Sequence, residues 1–364
     1  MLGEAERFGA ICANRLQVTE LTNGGEAPGV RLRDTVSGSE LAVCATNVIN
    51  ATGVWADLIR PDELHSEAEV PKIAPSRGTH IILEPDALPL RAGAIVPAGE
   101  GRSIFALPWL GKSLIGTTDN NYSGDINHVM PAPDDVEYLI RAVNEFFGTD
   151  LSTADLAGSY AGVRPLISSG DSRKSVDISR KAELYETSSG LITITGGKLT
   201  TWRRMAKLAV DRLVERDGRG APCRTQEIPL GQPVEPAGLT RVEGVADASY
   251  DHLAARYGYA AEQVLVLAAE RPELAAPIVD RMPDLLAEAP FAARQEQART
   301  VGDVLLRRTR LGVLCGREVS APESEAAQRV ARALGEELGW DRRRGQDEVE
   351  CFHQEALVEG VGGP

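Results

Sequence analysis

A strand, two glycines and a helix follow one another directly in the segment 191–218 of this chain. An apolar, β-branched run ends at Thr195, Gly196 and Gly197 interrupt it, and apolar residues then recur at helical spacing from Trp202 onward. The N–H groups at a helix N-terminus are unpaired and partly positive, and two glycines let a ligand approach them closely. The segment therefore predicts a turn that can bind an anionic group.

Two interpretations of this turn stay open on the pattern alone. In the first, the turn holds a ligand, and a reduced flavin is suitable because its N1–C2=O edge gains negative charge. In the second, the turn only connects the strand to the helix, so that Thr200 or Thr201 caps the helix and the Lys198 side chain is solvated.

The composition is typical of a soluble globular protein. Hydrophobic residues make up 43% of the 364 residues and charged residues 25%, and the formal net charge of −14 argues against a general nucleic-acid-binding surface. The five cysteines show no CxxC spacing, which argues against a disulfide framework or a zinc site and fits a reducing cytoplasm. The sequence has no secretory signal and no apolar run of membrane-spanning length, so we expect a soluble or at most peripheral protein.

The pattern of elements changes along the chain. The part up to Gly53 is typical of short strands, and residues 71–180 are rich in strands, with one helix predicted from Pro133 to a glycine stop at Gly148. After a Pro-rich linker the chain becomes rich in Ala, Leu, Glu and Arg, which predicts a separate helical domain.

Three further stretches have residue types that carry chemistry. Thr52-Gly53 ends a strand in a glycine turn, which suits a crevice ligand but equally a simple helix cap. Arg164, held extended by the proline after it, suits phosphate or carboxylate recognition, although a surface ion pair explains it as well. His80, beside an apolar run, suits a general base and equally a hydrogen-bonded core histidine. Arg180 and Asp119 are similarly ambiguous when taken singly.

Motifs of several other enzyme classes are absent from the sequence. It has no P-loop, HExxH or GxSxG motif, which disfavours NTPase, zinc-hydrolase and serine-hydrolase functions. It also has no GxGxxG motif, because the nearest approach, Gly99-Glu100-Gly101, has Ile104 where the third glycine would stand.

Seven segments, taken in order, carry a resemblance to a known family. They are NVINATGVWAD, PSRGTHIIL, FALPWLGKSLIGTTDNNYSGD, YAGVRPL, SRKAELYE, GGKLTTWRRMA and DVLLRRTRLG. The ordered set, over roughly residues 5–315, resembles the FAD-dependent glycerol-3-phosphate dehydrogenases, a branch of the glycine-oxidase-like flavoproteins.

The resemblance implies a fold that combines α/β and α+β parts. An incomplete Rossmann-like FAD-binding domain would carry an inserted antiparallel substrate-binding sheet and be followed by an all-helical domain. The expected boundaries are 1–70 and 181–235 for the C-terminal part of the FAD-binding domain, 71–180 for the sheet and 236–340 for the helical domain. Independently of the resemblance, the charged stretch DRRRGQDEVE and the Gly/Pro end predict a disordered tail at 341–364.

The resemblance also implies a reaction and its partners. The substrate would be sn-glycerol 3-phosphate, oxidised to dihydroxyacetone phosphate by hydride transfer from C2 to flavin N5, with the electrons passed to a quinone. A cytoplasmic protein in peripheral contact with the inner face of the cell membrane is expected, and a homodimer is compatible with it. Two alternatives stay open: a glycerol-3-phosphate oxidase that uses oxygen, and a non-catalytic fragment that keeps only the substrate and helical domains.

The family's site residues can be carried over to matching positions. Arg164 and Arg180 would clamp the phosphate, and His80 would take the proton of the C2 hydroxyl. Lys198 would bind the substrate beside the flavin and stabilise a developing alkoxide or anionic flavin. His80, Lys198 and Arg164 are thus the expected catalytic residues. The residues expected to bind FAD are Thr52, Gly53, Gly196, Gly197, Lys198, Leu199, Thr200 and Thr201.

One part of the family pattern has no match in this sequence. Family members begin with a strand, a GxGxxG turn and a helix that hold the ADP half of FAD. We therefore expect the chain to be a C-terminal fragment or the product of a misplaced start, and to bind FAD poorly on its own.

Overall fold

A computed structural model describes residues 1–22, 29–59, 72–99, 101–168, 182–187 and 190–363. The chain divides into two compact units. Unit 1 comprises Met1–Arg77, Asp119–Ile126 and Val163–Leu230, and unit 2 comprises Gly78–Thr118, Asn127–Gly162 and Gly231–Pro364. This division groups most of the antiparallel sheet with the helical residues, where the sequence predicted two separate domains. The predicted boundaries themselves stay a prediction.

The strands lie mostly in the first half of the chain. They are β1 Leu16–Thr22, β2 Gly29–Asp34, β3 Glu40–Cys44, β4 Ile49–Asn50, β5 Lys72–Leu83, β6 Ala94–Pro97, β7 Ser103–Trp109, β8 Lys112–Gly116, β9 Asn120–Asn121, β10 Leu156–Ser168, β11 Ala182–Glu186 and β12 Ile192–Gly196.

The helices dominate the second half. They are α1 Leu2–Arg7, α2 Pro133–Phe147, α3 Trp202–Arg216, α4 Asp247–Tyr257, α5 Ala261–Glu270, α6 Glu288–Gln295, α7 Leu311–Leu314, α8 Gly316–Val319, α9 Glu325–Leu338 and α10 Arg342–Glu359. Short 3₁₀ helices include Gly53–Ile59 and Leu199–Thr201, and Asp303–Arg308 forms a π-helical turn. Among the described residues, no helix has the length and apolar character that crossing a membrane requires.

Unit 1 begins with an antiparallel meander in the order β1-β2-β3. The turn between β2 and β3 is shaped by Asp34, whose Oδ1 accepts a hydrogen bond from the Val36 N–H at 2.8 Å. Asp at this place favours a tight turn because its side chain bonds the backbone two residues on. All residues of the edge strand β3 are exposed.

A second sheet of unit 1 has the order β11-β12-β4. β11 runs antiparallel to β12, whereas β4 is parallel to β12, with Ile192 opposite Ile49 and Thr193 opposite Asn50. The first four residues of β12 are buried, as expected for an apolar strand with a neighbour on each side. Since β4 and β12 are parallel, their carboxyl ends lie at the same edge of the sheet.

A larger antiparallel sheet has the order β10-β5-β8-β7-β6, with β9 paired to β5. The residues of β5 are assigned to the two units on either side of Arg77 and Gly78, and those of β10 on either side of Gly162 and Val163. In unit 2 the apolar residues on one face pack with α2 in a core that includes Ile81, Leu83, Ile115 and Leu139. As predicted, α2 begins at Pro133 and ends at Gly148, which takes the left-handed conformation with φ 70°.

Residues 231–363 of unit 2, called the helical segment below, have an extensive apolar core of their own. Its members share near-complete burial and come from α4 through α10, for example Leu253, Leu265, Val304, Leu334 and Phe352. The helical domain expected from the Ala- and Leu-rich composition is thus observed as helices.

The expectation of a disordered tail at 341–364 is wrong for its described residues. Asp341 caps α10 by accepting a hydrogen bond from the Arg344 N–H at 2.7 Å, and Gly360 ends the helix in the left-handed conformation. Phe352 and Ala356 are 1% exposed. The charged stretch DRRRGQDEVE suggested disorder, but apolar residues at helical spacing give the segment one face that packs in the core.

Candidate active site

Two glycine turns follow parallel strands of unit 1. Gly53 has φ 62°, and Gly196 and Gly197 have φ 71° and 74°, a region that favours glycine. A Cβ at Gly197 would lie 2.5 Å from Met205 Sδ, so this position has no room for a side chain. Nothing lies within 4 Å of the corresponding point at Gly53, which leaves open space there.

The parallel pairing of β4 and β12 places both turns at one edge of the sheet. The buried Asn50 shapes the first turn. Its amide Nδ2 donates to the Ala56 carbonyl at 3.1 Å, and its Oδ1 accepts from the Thr52 N–H at 3.2 Å and the Thr52 hydroxyl at 2.7 Å. The edge therefore presents Thr52-Gly53 beside the Gly196-Gly197 turn.

The segment between Gly197 and α3 is exposed. Thr201 closes this turn, because its hydroxyl donates to the Lys198 carbonyl at 2.9 Å and accepts from the Lys198 N–H at 3.2 Å. Lys198, Leu199, Thr200 and Thr201 are all exposed, and Leu199 is 84% exposed. Thr201 stands at the N-cap of α3, but its side chain bonds within the preceding turn and does not cap the helix. The segment stays accessible, as ligand binding requires.

Arg164 lies on β10 in unit 1 and faces a carboxylate. Its Nη1 is 3.7 Å from Asp119 Oδ1, and the side chains of Arg164 and Asp119 are 28% and 19% exposed. The fully buried Ser76 donates a hydrogen bond from its hydroxyl to the same Asp119 oxygen. Ser76 and Asp119 therefore orient the guanidinium while it keeps an accessible part. The sequence left Asp119 ambiguous and missed Ser76, although both lie in segments that carry the family resemblance. Arg180 lies outside the described residues.

His80 lies on β5 in unit 2 and is half-buried. Its ring stacks on that of Tyr160 on β10, with centroids 4.8 Å apart and planes 3° from parallel. The sequence did not single out Tyr160. Its only signal was an aromatic residue directly before the AGVRPL run.

The edge formed by the two glycine turns fits a ring cofactor such as FAD. The backbone at Gly53 is accessible at close range because the space where a Cβ would stand is open, whereas Met205 fills the corresponding space at Gly197. The exposed Lys198 brings a positive charge to the start of α3. The residues that could hold the group in unit 1 are Thr52, Gly53 and Gly196–Thr201.

Within the described part of the chain, His252, Asp284 and Glu288 bring metal-ligand atoms within 4.8 Å of one another. Arg256 Nη1 lies 2.7 Å from Asp284 and 2.6 Å from Glu288, so a cation already bridges both carboxylates. Burial by itself lowers the pKa of His252, but the two carboxylates outweigh it and raise that pKa to about 9. A protonated imidazole has no lone pair for a metal, and the cluster is therefore a buried charge network.

Comparisons with known proteins bear on both units. The model of the family "FAD dependent oxidoreductase" matches residues 1–212, and that of the "C-terminal domain of alpha-glycerophosphate oxidase" matches residues 192–345.

Curated relatives include the mitochondrial glycerol-3-phosphate dehydrogenase of Arabidopsis thaliana, 32% identical over 94% of this chain and 57% of the relative. The glycerol-3-phosphate dehydrogenase of Mycobacterium leprae is 33% identical over 98% of this chain and 61% of the relative. The chain thus spans less than two thirds of the length of either protein.

Among solved structures, the glycerol-3-phosphate dehydrogenase from Bacillus halodurans complexed with FAD is similar to this chain. It matches with a TM-score of 0.77 and 27% identity, over 98% of this chain and 71% of that one.

Proposed function

Since the chain belongs to the family of FAD-dependent oxidoreductases, we propose that it oxidises the C2 alcohol of sn-glycerol 3-phosphate to the ketone of dihydroxyacetone phosphate. The relatives that bear the name glycerol-3-phosphate dehydrogenase support this choice of substrate. The observation that carries the proposal is the parallel pairing of β4 with β12, because it sets two glycine turns side by side next to an exposed lysine.

The proposed cofactor site is built mainly from backbone. FAD supplies the hydride acceptor of the reaction when it is bound. The N–H groups around Gly53 and Gly197 and the hydroxyls of Thr52 and Thr200 would hold its polar edge. The Lys198 ammonium group would stabilise negative charge that develops there during the reaction.

Arg164 is the proposed anchor for the substrate phosphate. A guanidinium group binds phosphate through two parallel hydrogen bonds, and Asp119 and Ser76 limit the directions in which it can point. Arg180, which lies outside the described residues, is proposed as a second arm of the clamp on the family resemblance alone.

His80 is the proposed general base. It would accept the proton of the C2 hydroxyl on an imidazole nitrogen as the C2 hydride leaves, so that the C–O bond becomes a carbonyl. An imidazole suits this role because its ordinary pKa lies near neutrality.

The electron acceptor separates two versions of this function. We propose a quinone, in keeping with relatives named as dehydrogenases, and a quinone dissolved in lipid would require peripheral contact with the inner face of the cell membrane. The family model named for an oxidase over residues 192–345 favours oxygen as the alternative. Peroxide yield during turnover distinguishes the two acceptors. A homodimer and a cytoplasmic location belong to the same proposal and rest on the resemblance.

Arg164→Ala tests the substrate assignment. Loss of a charge-assisted hydrogen-bond pair should raise KM for glycerol 3-phosphate by about 10- to 100-fold. The assay follows reduction of an artificial acceptor by purified chain supplied with FAD, whose binding is first recorded by visible absorbance titration.

The matched control is Arg33→Ala, which removes an exposed arginine from β2 of the same unit. Its KM should stay at the wild-type value. Equal KM values for the two variants would remove Arg164 from the site, and no acceptor reduction by a wild-type chain that the titration shows to bind FAD would contradict the proposed reaction.

A further inference from the structure

The imidazole of His80 occupies space that only a glycine can leave open. His80 on β5 pairs directly with Gly116 on β8. A Cβ built on Gly116 would lie 2.2 Å from His80 Cδ2 and 2.8 Å from both Cγ and Nε2. Any side chain at position 116 would therefore displace the ring, whereas the glycine lets it rest against the backbone of the neighbouring strand.

Tyr160 confines the same ring from another direction. The two rings are nearly parallel, at an interplanar angle of 3°, with a centroid separation of 4.8 Å that is typical of offset stacking. Burial raises the pKa of the Tyr160 phenol, which therefore stays neutral in the physiological range. A neutral aromatic face can pack against both the neutral and the protonated imidazole.

The backbone that carries His80 is fixed by its neighbour Thr79. The buried Thr79 donates from its N–H to Thr118 Oγ1 at 2.9 Å and from its hydroxyl to Asp135 Oδ2 at 2.7 Å. Ile81, on the other side, is fully buried in the core with α2. The β-carbon of His80 is therefore fixed, and the orientation of the ring depends on the residues in contact with the side chain, namely Tyr160 and Gly116.

The strand that carries Tyr160 is held by the end of the helical segment. Ser159 donates from its N–H to the Val361 carbonyl at 3.1 Å and from its hydroxyl to the Gly360 carbonyl at 2.7 Å. Gly158 packs so closely that a Cβ there would lie 2.3 Å from the Val313 carbonyl oxygen. These contacts lie within unit 2 and fix the position of the Tyr160 backbone, and with it the position of the Tyr160 ring relative to His80.

We infer that Tyr160 and Gly116 are positioning residues that hold the His80 imidazole in one orientation for proton abstraction from the substrate hydroxyl. This inference rests on the proposed function, because the orientation of the ring matters for catalysis only if His80 is the general base. A general base needs its nitrogen within hydrogen-bond reach of the proton before its pKa matters. Small displacements of a reacting group lower the rate strongly.

The first measurement needs no activity. The chain contains five histidines, so selective ¹³C labelling of histidine rings gives a simple NMR spectrum in which His80→Gln identifies the His80 resonance. The stacked phenol should shift the ring protons of His80 upfield in the wild-type protein. Tyr160→Leu should abolish that shift, and Tyr160→Phe should keep it because the ring remains.

The second measurement is the steady-state kinetics of the FAD-supplied protein with glycerol 3-phosphate. Tyr160→Leu should lower kcat about 10- to 100-fold with little change in KM, and Tyr160→Phe should restore kcat. Phe146→Leu is the control, because it removes an exposed aromatic ring that contacts Phe147 on α2 of the same unit. It should leave both the His80 resonance and kcat unchanged.

A pair of glycine variants tests the role of Gly116, the second residue that confines the His80 ring. Gly116→Ala should move the His80 resonance, whereas Gly162→Ala should not, since nothing lies within 4 Å of a Cβ at Gly162. If Gly116→Ala fails to fold, the Tyr160 variants still decide the question.

Three results would overturn the inference. A His80 resonance that keeps its wild-type position in Tyr160→Leu would show that the stack does not set the orientation of the ring. A His80 resonance that moves from its wild-type position in Tyr160→Leu while kcat stays at the wild-type value would show that the stack is structural only. A wild-type protein that binds FAD but leaves glycerol 3-phosphate unoxidised would refute the proposed function and its catalytic consequence, while the NMR result would still report the geometry.

Discussion

The helical segment of unit 2 and the first sheet of unit 1 differ in how much of their apolar surface they bury. Leu305 and Val330 in the helical segment are fully buried, whereas Leu41 and Val43 on β3 are 41% and 40% exposed. Burial of a large aliphatic side chain contributes about 1.5–3 kcal/mol. The helical segment therefore supplies its own stability, whereas the meander obtains little from its edge strand.

The two regions also differ in where they place charge. Arg256, Asp284 and Glu288 form a network inside the helical segment, while pairs such as Arg33–Glu40 lie on the surface of unit 1. Breaking a buried network leaves an uncompensated charge in a medium of low dielectric constant, whereas surface pairs contribute little. The lesson is that substitutions of the same kind should have very different costs in the two units.

Glu288→Gln should have the largest cost. The Glu288 side chain is 1% exposed and accepts from Arg256 Nη1 at 2.6 Å and from the Tyr257 hydroxyl at 2.7 Å. We expect the free energy of unfolding of unit 2 to fall by about 3–5 kcal/mol. Urea denaturation followed by hydrogen exchange in α4 and α6 measures it.

Glu40→Gln on β2's partner strand β3 is the control, since its pair with Arg33 is about half exposed. It should change stability by less than about 1 kcal/mol. If Glu288→Gln and Glu40→Gln both lowered the free energy of unfolding by the same small amount, the contrast between buried and surface charge would not hold.

Phe352→Leu should have a smaller effect, of about 1–2 kcal/mol, because a smaller side chain leaves a cavity beside a fully packed helix. Phe352 is 1% exposed on α10, whereas Leu357 on the same helix is 63% exposed. Leu357→Ala and Leu41→Ala should each change stability by less than about 0.5 kcal/mol. Thermal unfolding of the three variants checks this order. A wild-type melting curve for Phe352→Leu would mean that α10 adds no packing to the core.

The pH dependence of stability should be the most gradual difference. His252 lies 3.4 Å from Asp284 and 3.6 Å from Glu288, and its pKa is about 9 in the folded protein against an ordinary 6.5. Because the folded pKa is raised, this contribution is fully present below pH 6.5 and is lost as pH rises through 9. The slope cannot exceed about 1.4 kcal/mol per pH unit for one proton.

Urea denaturation at a series of pH values across that window measures the slope for unit 2. His252→Gln should flatten it, because the variant has no group that titrates there. An equally steep slope in the variant would assign the pH dependence to other groups.

Local patterns predicted the elements well where neighbours in sequence decide the structure. The Pro133 start and Gly148 stop of α2, and the strand, glycine turn and helix from Ile192 to Arg216, follow from turn and capping chemistry alone. The prediction of a disordered tail at 341–364 was wrong because a high content of charged residues does not prevent a helix when the few apolar residues, such as Phe352, recur at helical spacing.

The candidate site was predictable only in part, for a physical reason. Glycines and a proline-fixed arginine leave a signature in one stretch of sequence, so Gly53, Gly197 and Arg164 could be named in advance. Tyr160 and Ser76 act on groups brought to them by strand pairing, and nothing near them in sequence records those partners.

The hydrogen bonds from Ser159 to Gly360 and Val361 have a consequence for biosynthesis. The Ser159 hydroxyl and its Gly360 partner are separated by 201 positions in the chain. Closing so long a loop is entropically costly, and the ribosome delivers only about 5–20 residues per second. Tyr160 therefore acquires its final surroundings only after translation has passed Val361. In a nascent chain stalled before that codon, the strand that carries Tyr160 would lack these hydrogen bonds, and the Tyr160 ring would not yet be fixed against His80.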